Sequence, residues 1–334
     1  MTDVIGPPPP FDPELAAAIA IAGEKMPDIG RMLARGGDAV ATARALRDEM
    51  ADFLLDPDAD LTRDGAFTVS EREVSGPDGA PDITLLICRP NNAPPPVGVI
   101  YFVHGGGMVV GDRFTGLANF LGVAEELGVA VVSVEYRLAP EHPHPAPVDD
   151  CYAGLLWTVE HAEELGVDPA RVVIAGGSAG GGLTAATALL AKDRGGPALL
   201  GQLLLCPMLD DRNDTYSARQ MAGVGLWDQT ANQFGWSALL GDAQGGDDVS
   251  PYAAPARATD LSGLPPAFID VGSAETFRDE AVEYASRIWR AGGIAELHVW
   301  PGGFHGFSGI VPQAAVSQAA GQAPRAWLRR ILAD

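Results

Sequence analysis

The amino-acid sequence predicts an α/β fold in which a largely parallel sheet is covered by helices on both faces. Short apolar runs rich in β-branched residues, such as 97–103 and 171–176, alternate with helical segments through most of the chain. Runs of this kind, bounded by Gly or Pro, are typical of strands that are buried on both faces. The chain has 334 residues, 47% of them hydrophobic, which is enough for one large core.

The first sixty residues differ from this pattern. They are alanine-rich with helical spacing and are broken at Pro27 and at Gly36–Gly37. We therefore expect residues 1–60 to form a separate helical segment, a cap over the strand ends, and residues 61–334 to form the main domain. The stretches FTVSEREV and DITLLICRP, joined by the turn SGPDGAP, open that domain as two strands.

Strands and helices then alternate in chain order. The predicted strands are 97–103, 129–136, 171–176, 200–207, 265–272 and 295–300, and the predicted helices are 116–127, 148–164, 178–192, 278–291 and one near the C-terminus. The stretch 210–241 interrupts this order with Trp227, Phe234 and Trp236 at helical spacing. An ordinary crossover helix is one interpretation, but the length favours a cap insertion over the strand ends, where ligands bind in such sheets.

Composition excludes several classes of function. The net charge of −22 repels phosphate backbones and anionic headgroups, so we expect neither a nucleic-acid nor a membrane partner. No signal-peptide pattern and no run of ~20 apolar residues occurs, which predicts a soluble cytoplasmic protein. Cys88, Cys151 and Cys206 lack metal or redox spacing and are predicted to be buried, reduced thiols.

The stretch IAGGSAGGG, residues 174–182, places Ser178 on a sharp turn between a strand and a helix. Gly176 and Gly180 lie two positions to either side, as in the G-x-S-x-G nucleophile elbow, where small residues avoid clashes and the serine hydroxyl is exposed. A phosphate-binding glycine loop is the alternative. That alternative is disfavoured because no Lys precedes the serine and because the next strand ends in proline.

The stretch VHGGGMVVGD, residues 103–112, follows an earlier strand. Consecutive glycines let the backbone approach a reacting carbonyl, and an HGGG loop supplies oxyanion donors in hydrolases. We predict the backbone N–H groups of Gly105, Gly106 and Ala179 as those donors. A plain glycine-rich loop is the alternative.

A serine nucleophile needs a base, and of the six histidines His305 alone follows a late strand in a glycine-rich loop, PGGFHGF. The chain order serine, acid, histidine also places the base last. Four carboxylates are candidates for the acid, namely Asp270, Glu275, Asp279 and Glu280. Asp270 is predicted inside a strand and the last two at a helix start, which leaves Glu275 in the loop.

The motifs HGGGMVVGD, YRLAPEHPHPAPVDD, GGSAGG, FRDEA and PGGFHGF together resemble the bacterial hormone-sensitive-lipase-like group of α/β-hydrolases over about residues 67–334. The resemblance implies an eight-stranded sheet, an N-terminal helical cap, frequent homodimers, and Ser178, Glu275 and His305 as the triad. Two positions depart from that group. Gly177 stands where Asp is usual in the elbow, and Glu275 stands where the acid is usually Asp, so Asp279 stays an alternative acid.

We therefore predict a serine carboxylesterase that hydrolyses short- to medium-chain esters through an acyl-enzyme, with no metal or cofactor. Met221, Trp227 and Phe234 are predicted pocket residues, with plain cap core as the alternative. A lactonase or amidase would use the same triad, and a non-catalytic small-molecule receptor on this fold would be expected to lack the base. A long-chain lipase would want an extended apolar surface or a secretion signal, and neither is evident.

Overall fold

A computed structural model of the protein describes residues 5–25, 27, 29–34, 38–54, 59–77 and 79–332. The predicted break at Gly36–Gly37 lies outside the described residues, as do other parts of segment 1–60. The strands are β1 (Phe67–Val74), β2 (Ile83–Pro90), β3 (Val97–Val103), β4 (Ala130–Glu135), β5 (Val167–Gly177), β6 (Gly201–Leu205), β7 (Ala267–Gly272) and β8 (Ala295–Trp300).

The helices follow the predicted alternation, with shifts of a few residues at their ends. They are α1 (Pro13–Lys25), α2 (Ile29–Ala34), α3 (Ala39–Leu54), α4 (Leu117–Leu127), α5 (Ala146–Glu160), α6 (Ala162–Leu165), α7 (Ala179–Arg194), α8 (Tyr216–Gln220), α9 (Gln229–Leu240), α10 (Arg278–Arg290), α11 (Phe307–Ile310) and α12 (Ala315–Leu332). The helix expected over 148–164 is divided at His161, which ends α5 and begins α6.

The strands form an eight-stranded sheet in the order β1-β2-β4-β3-β5-β6-β7-β8. The β1–β2 and β2–β4 pairs are antiparallel, and all later pairs are parallel. The predicted α/β fold with a mostly parallel sheet is confirmed. Because the last six strands run in one direction, their carboxyl ends meet at one edge, where the loops after β3, β5, β6, β7 and β8 converge.

Apolar side chains cover the sheet on both faces. Helices α5, α7 and α10 pack on one face, with residues such as Leu155, Leu189 and Ile288 buried against β3, β5 and β7. Helices α4 and α12 cover the other face, where Phe120 and Trp327 join the buried side chains of the sheet. Burial on both faces explains why the strands read as continuous apolar runs rather than as alternating ones.

One charged side chain links helix α3 to the main domain. Arg47 of α3 donates from Nε to the carbonyl of Val109 at 2.7 Å and from Nη2 to the carbonyl of Ala139 at 3.0 Å. It also binds both carboxylate oxygens of Glu141 at 2.8 Å. Val109 belongs to the glycine-rich loop after β3, so α3 holds that loop directly.

The stretch 210–241 lies between β6 and β7 and contains α8 and α9. Thr215 caps α8 by accepting from the N–H of Ala218 at 3.1 Å, and Asp228 caps α9 by accepting from the N–H of Ala231 at 2.9 Å. The N-terminal segment touches this stretch, because the N–H of Gly6 donates to the hydroxyl of Tyr216 at 2.7 Å. Within the described part of the chain, no helix has both the length and the apolar character needed to cross a membrane.

We expect Arg47→Met to lower the free energy of unfolding by about 1.5–3 kcal/mol, the usual cost of losing hydrogen bonds to a charged group. Urea unfolding at neutral pH measures this change. Arg44→Met is the matched control, because Arg44 contacts the same Glu141 at 3.5 Å while its side chain is 69% exposed. The control should change stability by less than about 0.5 kcal/mol. Equal losses in both variants would contradict the anchoring role of Arg47.

The Arg47–Glu141 pair makes the free energy of unfolding depend on pH. Hydrogen bonds from Arg47 lower the pKa of Glu141 from its ordinary value of 4.5 to about 2. Because the pKa is lower in the folded state, the stabilisation is fully present above about pH 4.5 and is lost as the pH falls toward 2. The stability difference between the wild type and Arg47→Met should shrink over this interval. A difference that stays constant would show that the carboxylate does not contribute.

Candidate active site

Ser178 lies between the end of β5 and the start of α7 with φ 57° and ψ −125°. A non-glycine residue in this sparsely populated region costs about 1–3 kcal/mol, so its surroundings must hold it. The N–H of Ser178 donates to the carbonyl of Leu205 at 2.8 Å, and the carbonyl of Ser178 accepts from the N–H groups of Met208 and Gly182. The predicted sharp turn is therefore present, fixed from the neighbouring strand β6.

Gly180 shows why the elbow needs small residues. A Cβ on Gly180 would clash with the backbone carbonyls of Val103 and His104, and a Cβ on Gly176 would clash with the carbonyl of Gly180. These contacts press the first turn of α7 against the end of β3. The backbone of the elbow and the backbone of the glycine-rich loop therefore lie in direct contact.

His305 is brought to Ser178 by the loop between β8 and α11. Its Nε2 lies 3.0 Å from the Oγ of Ser178, and its Nδ1 lies 3.1 Å from an oxygen of Glu275. The ring of Phe277 packs edge-on against the imidazole, with 5.1 Å between ring centres. The structure thus brings the three residues predicted as a triad into one hydrogen-bonded chain.

Glu275 lies in the turn between β7 and α10, and its residue is only 3% exposed. Its second carboxylate oxygen accepts from the N–H of Gly272 at 2.9 Å, which orients the group toward His305. Asp279, the alternative acid, lies in the first turn of α10. It accepts from the N–H of Ser217 at 2.7 Å and pairs with Arg278 at 2.8 Å, so it ties α10 to the 210–241 stretch.

Burial and a neighbouring carboxylate have opposite effects on the pKa of His305. Burial lowers it, whereas the negative charge of Glu275 and its hydrogen bond to the imidazole raise it. Burial also raises the pKa of Cys206, so that thiol is neutral at neutral pH. The Glu275 carboxylate, 3.1 Å from Nδ1, is therefore placed where a negative charge can stabilise an imidazolium at His305.

The glycine-rich loop after β3 is shaped by His104. This side chain is fully buried, stacks on Tyr136 and has its Nδ1 2.8 Å from the carbonyl of Gly105. Burial lowers the pKa of His104 to about 4, so the ring is neutral and fits its apolar surroundings. Gly106 has φ 113°, which only glycine adopts readily.

Ala179, the third predicted donor, is the first residue of α7, where backbone N–H groups have no acceptor within the helix. A Cβ on Gly105 would lie 3.4 Å from the Cβ of Ser178, so the glycine loop and the elbow meet at the serine. The predicted donors therefore come from two elements that adjoin Ser178.

A cleft of about 1100 Å³ opens at Ser178 and His305 and runs between α4 and α12. Met221, Trp227 and Phe234, the predicted pocket residues, are buried, and none of them lines this cleft. Trp227 instead packs against Gly107, where a Cβ would clash with the indole. Trp227 and Phe234 thus belong to the apolar core that also contains Met108 and Val109 of the glycine-rich loop.

Two residues of the cleft make contacts that the sequence did not predict. Cys206 was predicted to be buried, but it is partly exposed at the end of β6 beside His305, so that prediction is wrong. Asp270 is placed in β7 as predicted, and its carboxylate accepts from the indole N–H of Trp300 at 3.0 Å. Burial raises the pKa of Asp270 to about 7. Nothing in the local sequence signals these contacts, which join separate strands.

A strained serine elbow, a histidine from the last strand-end loop and a carboxylate between them, on this sheet order, are features of the α/β hydrolases. The chain belongs to the family described as alpha/beta hydrolase fold, which matches residues 99–309. The predicted membership of the hormone-sensitive-lipase-like group is confirmed.

Several relatives are similar over most of the chain. Carboxylesterase NlhH of Mycobacterium tuberculosis is 39% identical over 266 residues, which cover 76% of this chain and 81% of the relative. Esterase LipI of the same organism is 37% identical, covering 67% and 70%. Among solved structures, a bacterial heroin esterase superposes with a TM-score of 0.87 at 39% identity, covering 97% of this chain and 98% of that one.

We expect Gly180→Ala to destabilise the protein by about 1–3 kcal/mol or more, because the added methyl group overpacks the contact with β3. Thermal or urea unfolding measures the change. Gly321→Ala in α12 is the control, since nothing lies within 4 Å of the added Cβ. That variant should gain about 0.5–1 kcal/mol from the better helix former. A fully stable Gly180→Ala protein would contradict the proposed tightness of the elbow.

Proposed function

We propose that the protein is a serine carboxylesterase that acts on short- to medium-chain carboxylic esters. The observation that carries the proposal is the position of His305, within hydrogen-bond distance of both Ser178 and Glu275. The sequence similarity to proteins named carboxylesterase NlhH and esterase LipI supports the ester as the substrate class.

In the first half of the reaction, the Oγ of Ser178 attacks the ester carbonyl while its proton passes to Nε2 of His305. Glu275 holds the Nδ1–H tautomer and stabilises the imidazolium that forms. The carbonyl oxygen becomes negative and takes hydrogen bonds from the N–H groups of Gly105, Gly106 and Ala179. Such donors are each worth about 10²–10³ in rate.

The first half ends when His305 gives the proton from Nε2 to the leaving alcohol, which departs and leaves an acyl group on Ser178. In the second half, water enters, His305 takes a proton from it, and the hydroxyl attacks the acyl carbonyl. Collapse of this intermediate returns the proton to Ser178 and releases the carboxylic acid. Because the same steps cleave lactones and amides, those activities are outcomes that a substrate panel separates.

The cap in this proposal consists of residues 1–60 and 210–241, and the catalytic domain of the remainder. The contacts between the N-terminal segment and α8 support this division. Trp227 then shapes the substrate site through its packing against Gly107, and Met221 and Phe234 stay predicted pocket residues. A homodimer and a cytoplasmic location stay predictions.

Hydrolysis of p-nitrophenyl esters of increasing acyl length tests the activity. We expect the rate to peak at short chains, and Ser178→Ala to reduce kcat by about 10⁴-fold or more. Ser308→Ala is the matched control, because Ser308 is exposed in the same cleft. Retained activity in Ser178→Ala, or a wild type that binds the esters without hydrolysing them, would overturn the proposal.

A second pair of variants tests which carboxylate is the acid of the triad. Glu275→Gln should lower kcat by about 10³–10⁴-fold, because the amide cannot stabilise the imidazolium. Asp279→Asn should stay within about tenfold of the wild type, since Asp279 binds Ser217 and Arg278 rather than His305. Steady-state kinetics, with circular dichroism to verify folding, distinguishes the two. The reverse ranking would assign the acid to Asp279.

A further inference from the structure

Cys206 lies at the candidate site but has no role in the proposed esterase mechanism. It follows β6 with φ 37°, and its N–H donates to the carbonyl of Asp270 at 2.8 Å. The residue is partly exposed and lines the cleft that contains Ser178. Its sulfur lies within 4.8 Å of a ring nitrogen of His305. A sulfur atom therefore lies close to the predicted general base.

The side chains of Cys206, Glu275 and His305 each offer a metal-binding atom. These atoms all lie within 4.8 Å of one another, and no other group of three His, Cys, Asp or Glu side chains in the described part of the chain meets that condition. A thiolate, an imidazole nitrogen and a carboxylate oxygen are the donors that Zn²⁺ takes in proteins, at about 2.0–2.3 Å each. The fold thus assembles a donor set that cysteine spacing in the sequence does not signal.

We propose that Cys206, Glu275 and His305 form an inhibitory binding site for a thiophilic divalent cation such as Zn²⁺. On binding, the thiol of Cys206 gives its proton to solvent and the sulfur bonds to the metal. His305 contributes the lone pair of Nδ1, whose proton is transferred to Nε2. A Glu275 oxygen completes the three protein ligands, and water occupies the open position toward the cleft.

Metal binding at this site is incompatible with the proposed role of His305. Once the metal holds Nδ1, the hydrogen at Nε2 leaves no lone pair there to take the proton of Ser178. Glu275 is also withdrawn from the imidazole that it orients. Inhibition therefore rests on the proposed function, whereas metal binding by the three side chains does not.

The test measures binding and inhibition separately. Co²⁺ is added to the full-length protein as a spectroscopic probe, because a cysteine ligand gives a thiolate-to-cobalt absorption band in the near ultraviolet. Zn²⁺ is then titrated into the p-nitrophenyl acetate assay, and each variant is compared with its own rate without metal. Cys206→Ala removes the sulfur, Cys206→Ser keeps its size, and Cys88→Ala removes a buried thiol in β2 as control.

We expect the band with the wild type and Cys88→Ala but not with either Cys206 variant. The Zn²⁺ concentration for half-inhibition should rise at least about tenfold in the Cys206 variants, since even an outer-shell change costs 10–100-fold in metal affinity. Equal Zn²⁺ sensitivity in all variants, or no thiolate band with the wild type, would overturn the proposal. If the wild type binds Co²⁺ through Cys206 but hydrolyses no ester without metal, the proposed function fails and the metal site stands.

Discussion

The backbone contact between the serine elbow and the end of β3 is the constraint on which the site depends. Gly180 packs against the carbonyls of Val103 and His104. Ser178 is held at a strained φ of 57° because its backbone N–H and its carbonyl both make hydrogen bonds to neighbouring residues. Because both elements meet through main-chain atoms, no side-chain rotation separates them. The spacing between the nucleophile and the glycine-rich loop is therefore a property of the sheet itself.

The loops that surround the serine depend on support from outside the sheet. Arg47 in α3 holds the glycine-rich loop through the carbonyl of Val109. The N–H of Asp12 donates to the carbonyl of Gly302 at 3.1 Å, and Phe11 packs edge-on against Phe304, next to His305. The N-terminal segment thus braces two separate loops of the site. One of these loops carries His305, so the N-terminal segment contacts the element that positions the candidate base.

Local patterns predicted the parts of the molecule that local chemistry determines. The apolar runs predicted the strands of the sheet, and the glycines around Ser178 predicted the sharp turn. Chain order predicted His305 as the base. The choice between Glu275 and Asp279 was open because it depends on where α10 begins relative to β7, a boundary that spacing does not resolve. Cys206 was misjudged because its flanking residues are apolar, whereas its position just after β6 places it in the cleft beside Ser178.

A glutamate fits at position 275 because its side chain folds back and bonds to the turn that carries it. One carboxylate oxygen accepts from the N–H of Gly272 at 2.9 Å while the other lies 3.1 Å from His305. An aspartate on the same backbone would be one methylene shorter, about 1.5 Å, and could not keep both contacts. Glutamate is therefore the acid that fits this turn. An aspartate at position 275 would require the backbone between β7 and α10 to move toward His305.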